Sequence, residues 1–119
     1  MKDKLFLEYP KCSTCQKAKK WLENNKLNFD DRNIVENNPT IKELENWIKK
    51  SKLDIKRFFN TSGLKYKELN LKDKLSDMTY EEKLKLLATD GMLVKRPLLI
   101  TKEKVLVGFR EKEWEELLK

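Results

Sequence analysis

The chain has 119 residues, enough for one core-bearing domain over 1–119 and too few for two. Lys and Arg number 27 against 20 Asp and Glu, a net charge of +7. The lysines are scattered beside glutamates as on solvated helix faces, with no aromatic-interleaved basic cluster, which argues against direct nucleic-acid binding. No histidine occurs, so Cys/His dyads, histidine metal sites and histidine acid-base chemistry are excluded.

Met1-Lys2-Asp3-Lys4 leads into too few apolar residues before Pro10 for a signal peptide, and no segment approaches membrane-span length. A cytoplasmic location without a membrane partner is expected, where a spaced cysteine pair is more often catalytic or metal-binding than a structural staple. Leu5 to Tyr9 reads as a short buried strand stopped by Pro10. From Ser13 to about Asn25, Cys15, Ala18, Trp21 and Leu22 recur at helical spacing, so an amphipathic helix opens at the cysteine pair. Phe29 to Val35 is the next strand, parallel to the first through a right-handed crossover. Thr40 and Glu43 fit a capping box for a second helix whose buried stripe is Ile41, Leu44, Trp47 and Ile48.

The middle of the chain, about 53–89, has no strand signal and reads as a helical insert. It holds a turn at Asn60-Thr61-Ser62-Gly63 and a helix capped by Thr79 and Glu82, buried through Leu84, Leu87 and Ala88. Pro97 to Ile100 and Lys104 to Phe109 are joined by so few residues that only an antiparallel hairpin fits. Glu111 to Lys119 closes the chain as a helix with Trp114, Leu117 and Leu118 inward. The order is a βαβ unit, the insert and a C-terminal ββα, which predicts an α/β, thioredoxin-like fold with a four-stranded mixed sheet.

Cys12 falls in the last loop residues before the first helix, where unpaired N–H groups and the helix dipole favour a thiolate, and Lys11 beside it acts in the same direction. Cys15, one turn later, can reach Cys12 to form a short-loop disulfide. Exposed Cys12 is then the attacking thiol and Cys15 the resolving one. A zinc site lacks further cysteine or histidine ligands, so no metal is expected; two inert core cysteines remain the alternative. Pro97 enters a strand, either as an ordinary strand-entry residue or as a structural element of the site.

Four segments carry a family resemblance: Tyr9-Pro10-Lys11-Cys12-Ser13-Thr14-Cys15-Gln16-Lys17-Ala18, Phe58 to Gly63, Asp90 to Pro97 and Val107-Gly108-Phe109. Through them the chain resembles the arsenate-reductase-like family, which also contains the Spx-type transcription regulators, and it is most similar to the uncharacterised reductase-like branch. The resemblance implies a cis proline at Pro97 packed against the nucleophile. It also implies a thiol reductase with no bound cofactor, using glutathione with glutaredoxin, or thioredoxin, as external donor to a small oxyanion or protein disulfide. Cys12 matches the family nucleophile and Arg96 one of three anion-holding arginines. Asn60 and Phe109 stand where the other two are expected, which argues against arsenate as the natural substrate, because guanidinium forks hold tetrahedral oxyanions better than an amide or phenyl group. Arg57 and Arg110 are near enough in sequence to stand in for them. Asn60 and Ser62 are either hydrogen-bond donors to an anion or plain turn residues. The alternative implied function is an Spx-type redox sensor that binds the RNA polymerase alpha subunit, for which Cys12, Cys15 and Arg96 also match. The glycine of that branch has no counterpart around Ser51 to Asp54.

Overall fold

A computed structural model of the chain describes residues 3–118. Strand β1 (Leu5–Glu8) has Phe6 and Leu7 both fully buried; successive side chains point to opposite faces, so the strand is covered on both sides. The chain turns at Pro10 and Lys11, with the Cys12 N–H donating to the Tyr9 carbonyl at 2.9 Å, and enters helix α1 (Ser13–Asn24). Ala18 and Leu22, four residues apart, are the helix's buried face.

Strand β2 (Asp30–Asn33) runs parallel to β1 with Leu5 opposite Asp30 and Glu8 opposite Asn33. It is shorter than the expected Phe29–Val35. Asn33 Oδ1 accepts from the N–H groups of Val35 and Glu36 at 2.9 and 3.0 Å, which turns the backbone out of the ladder. Helix α2 (Ile41–Ser51) starts on the expected capping box: Thr40 Oγ1 accepts from the Glu43 N–H and Glu43 Oε1 from the Thr40 N–H. Leu44, Trp47 and Ile48 are buried, but Ile41 is 44% exposed, because the first turn of the helix overhangs the core.

The insert is built of short pieces: a 3₁₀ turn (Ile55–Phe58), α3 (Leu64–Glu68), α4 (Leu71–Lys74), a second 3₁₀ turn (Leu75–Asp77) and α5 (Tyr80–Leu87). A further 3₁₀ turn at Gly91–Leu93 leads back to the sheet. An isolated antiparallel bridge, Phe59 to Val94, ties the insert's start to its end, with the Asn60 N–H donating to the Leu93 carbonyl (2.8 Å) and the Lys95 N–H to the Phe58 carbonyl (2.7 Å). Gly91 passes so close to β2's exit that an added Cβ would run into the Ile34 carbonyl, so only glycine fits there.

Strands β3 (Leu98–Ile100) and β4 (Val105–Val107) form the expected hairpin, and the sheet order is β2-β1-β3-β4 with only the β1-β2 pair parallel. Alternation along the strands divides the core. Leu7, Leu98, Ile100, Val105 and Val107 face α2 and the insert, while Phe6 and Leu99 face α1 and Trp114. Helix α6 (Glu111–Trp114) is shorter than the Glu111–Lys119 expected and gives way to a 3₁₀ turn at Glu115–Leu118; Lys119 lies outside the described residues. The tighter 3.0-residue period rotates Leu118 off the buried stripe, leaving it 50% exposed while Leu117 still packs inward. No helix among the described residues is long and apolar enough to cross a membrane.

Candidate active site around Cys12

Cys12 is the N-cap of α1, with an extended backbone (φ −87°, ψ 119°), and its Sγ accepts from the Cys15 N–H at 3.4 Å. Both thiols are free; Cys12 is half-buried and Cys15 fully buried. Burial by itself raises the Cys12 pKa, but the combined pull of the Cys15 thiol and N–H, the Arg96 charge and the Thr14 N–H is stronger and holds it below the ordinary thiol value. Cys15 moves the other way. Burial first, then the hydrogen bond to Cys12 and its charge, push it up to about 12 against the opposing Tyr9 backbone and Arg96. One helical turn therefore separates a thiol poised to ionise from one held protonated.

Arg96 is fixed beside them from the start of β3. Its guanidinium lies over the Tyr9 ring, 5.2 Å from the centroid, and one terminal nitrogen, Nη1, donates to the Met92 carbonyl at 3.3 Å. Arg96 Nε is buried without an acceptor, and among the described residues no carboxylate pairs with this guanidinium. The Arg96-Pro97 peptide bond is cis and Pro97 is buried. On the far side, Pro97's carbonyl accepts from the Gly108 N–H at 2.8 Å, and Gly108's own carbonyl accepts from the Trp114 indole N–H at 3.1 Å. Gly108 has φ 74°, a left-handed conformation that suits glycine.

These segments enclose a cavity of about 690 Å³ with Cys12 and Thr14 in its wall. The bridge between Phe59 and Val94 carries Asn60, Thr61, Ser62 and Gly63 over the site, so Asn60 and Ser62 line the cavity together with Arg96, as their place in the sequence could not show. Ser62 Oγ donates to Asn60 Oδ1 at 3.4 Å, and Asn60, 9% exposed, packs over Gly63, so both residues do turn chemistry while facing the cavity. Lys11 does not join them. It is exposed on the turn and outside the cavity wall. Arg57 and Arg110 both line the cavity, as do Lys56 and Lys95, which sequence reasoning did not single out. Their signal was position: Lys56, Arg57 and Arg110 flank motif segments and Lys95 lies within one. Among the described residues no group of three or more acidic or cysteine side chains is placed to hold a metal.

A second cluster lies at the end of β1. Glu8 is 5% exposed, with Lys19 Nζ of α1 at 3.5 Å and in turn 2.6 Å from Asp31 of β2. Burial, then the hydrogen bond to Asp31 and its charge, raise the Glu8 carboxyl to about 7, while Asp31 is held below its usual range. The signal for it was a glutamate inside an otherwise apolar strand.

The sequence profile described as the ArsC family matches residues 7–117. The chain belongs to the ArsC family. It is 56% identical to the uncharacterized protein YusI of Bacillus subtilis (strain 168) over 93% of its own length and 94% of that protein's. It is also 32% identical to the regulatory protein MgsR of the same organism, over 96% and 89% of the two chains. Among solved structures, an ArsC family related protein from Bacteroides fragilis superimposes with a TM-score of 0.95 at 59% identity, covering 97% of each chain. The fold of this ArsC-family chain is thus the expected thioredoxin-like one, with its CxxC pair brought together at the N-terminus of α1.

Proposed function

We propose that this ArsC-family chain is a thiol-disulfide oxidoreductase, with Cys12 as nucleophile and Cys15 or glutathione as resolving thiol. The observation that carries this reading is the opposed setting of the two thiols: Cys12 lowered and facing the cavity, Cys15 buried and raised to about 12. The Cys12 thiolate attacks one sulfur of a substrate disulfide, forming a mixed disulfide and releasing the other half as a thiolate. With Cys12 no longer anionic, its charge and hydrogen bond cease to hold the proton on Cys15. Cys15 then loses that proton, attacks Cys12 Sγ and expels the second half, leaving a Cys12–Cys15 disulfide and a substrate reduced by two electrons. An external dithiol donor, glutaredoxin with glutathione or thioredoxin, restores the pair.

Arg96 positions an anionic group near the sulfur and stabilises the thiolate. Arsenate is not the substrate favoured by this reading, since an amide, Asn60, and a phenyl ring, Phe109, line the cavity at the two positions where the family resemblance expects arginines. The test is NADPH consumption by each donor system with a small neutral disulfide and, separately, with arsenate, comparing the wild type with Cys12→Ser. Cys12-dependent turnover of the disulfide is expected, with none of arsenate; turnover of the disulfide unchanged by Cys12→Ser would sink the reading.

The second reading, a redox-sensing regulator of cytoplasmic transcription, is favoured by the likeness to a regulatory protein over 96% of the chain. It expects the RNA polymerase alpha subunit's C-terminal domain to be retained by the immobilised chain, with retention changed by oxidation. Absence of retention in both redox states counts against it.

A further inference from the structure

Among the described residues, the cavity beside Cys12 gathers cations that the protein does not neutralise. Lys56 and Arg57 come from the 3₁₀ turn after α2, Lys95 and Arg96 from the approach to β3, and Arg110 from the residue before α6. None of them has a carboxylate partner among the described residues, whereas Lys19 pairs with Glu8 and Asp31 and Arg32 with Glu43. The one acid in the cavity wall, Asp54, caps its own turn, accepting from the Lys56 N–H at 2.8 Å, and its single charge leaves the five cations in excess.

The distribution of these charges sets what they can hold. Arg96 is the cation that acts most on the Cys12 thiol, and the others come from segments around the wall. A single anion bonded to the sulfur would use the nearest guanidinium and leave the rest without a partner. Carboxylates on residues flanking a cystine would meet them, since an extended chain places successive residues about 3.3 Å apart. Half-buried Phe109 adds apolar surface to the same wall, backed by buried Phe59 and Val107, which suits cystine methylenes and peptide side chains and does nothing for an inorganic oxyanion.

We propose that the cavity takes an acidic polypeptide segment whose disulfide is reduced at Cys12. This rests on the thiol-exchange reading above and narrows its substrate class. The step is the exchange already written: the acidic segment's S–S bond breaks, one of its sulfurs passes through a mixed disulfide with Cys12, and Cys15 releases it as a thiolate.

The experiment measures the rate of mixed-disulfide formation on the full chain carrying Cys15→Ser, which traps the adduct. Blocked peptide disulfides of one length are used, with flanking residues acidic, neutral or basic, together with glutathione disulfide and neutral 2,2′-dithiodipyridine. At low ionic strength the acidic peptide is expected to react at least about tenfold faster than the neutral one, with the lead collapsing in high salt. Arg57→Gln with Arg110→Gln should bring the acidic-to-neutral ratio toward one. Lys102→Gln with Lys104→Gln, the same charge change on the β3-β4 turn, should leave that ratio in place. Equal rates for the three peptides would overturn the proposal. Glutathione disulfide matching the acidic peptide would overturn it too, by assigning the cavity to the carboxylates of a small thiol and not to a polypeptide. Failure of Cys12 to react with dithiodipyridine faster than a free thiol would remove the exchange reading itself, an outcome distinct from both.

Discussion

Cys12 and Cys15 share one motif, yet their surroundings drive them in opposite directions, and this can be measured one residue at a time. Alkylation of the native chain by iodoacetamide should occur at Cys12 alone, with its half-maximal pH below that of a free thiol; Cys15 should label only after unfolding. Mass mapping checks both, and equal labelling of the two would contradict the assignment. Arg96→Gln should move the Cys12 half-maximal pH upward, while Arg96→Lys should restore part of the difference because it keeps the charge and loses the planar fork over Tyr9. A merely structural role for Arg96 would lower stability without moving that pH. The sequence marked these three residues, but not the stacking of Arg96 on Tyr9, which joins residues far apart in the chain.

At the scale of elements, the Glu8–Lys19–Asp31 cluster couples β1, α1 and β2 to pH. The Glu8 carboxyl lies near 4.5 in an unfolded chain and about 7 in the folded one. The folded protein therefore holds a proton that the unfolded chain has lost between those values, and stability falls as pH rises through that window. At about 1.4 kcal/mol per pKa unit the full effect is of order 3 kcal/mol, complete above pH 7. Asp31 acts in the opposite sense, its contribution being lost as pH falls below the ordinary carboxylate range. Glu8→Gln should flatten the decline between pH 5 and 8 in urea denaturation, and an unchanged slope would show that Glu8 does not titrate there. Gly91 joins two elements in a different way, through backbone contact between the Gly91–Leu93 turn and the exit of β2. Gly91→Ala should cost about 2 kcal/mol or more, seen as a lower denaturation midpoint, because the Ile34 carbonyl must move to admit a methyl group.

For the whole molecule, the insert at 53–89 contributes half of one core layer: Ile55, Phe58, Phe59, Tyr66, Leu71, Leu75, Leu84 and Leu87 pack with Leu7, Leu98 and Val107 of the sheet. Its replacement by a short flexible linker should abolish cooperative thermal unfolding, since one face of the sheet would then be exposed to water; a sharp transition in such a variant would show that the insert is dispensable. Periodicity and local motifs were enough to read the hairpin, both capping boxes and the placement of the cysteine pair at a helix start, because each depends on residues close to one another in the chain; the β1-β3 pairing at the centre of the sheet does not. It misjudged Ile41 and Leu118, where a regular stripe continues past the surface it packs on. The sequence by itself determined the chemistry available: a thiol pair in a CxxC motif, an arginine before a proline, and no histidine. Only the tertiary structure decided which charges surround that thiol. The Phe59–Val94 bridge brings Arg57 and the Asn60 turn to Cys12 while Lys11, its immediate neighbour, stands outside, because long-range backbone pairing and not proximity in sequence sets which side chains share a cavity.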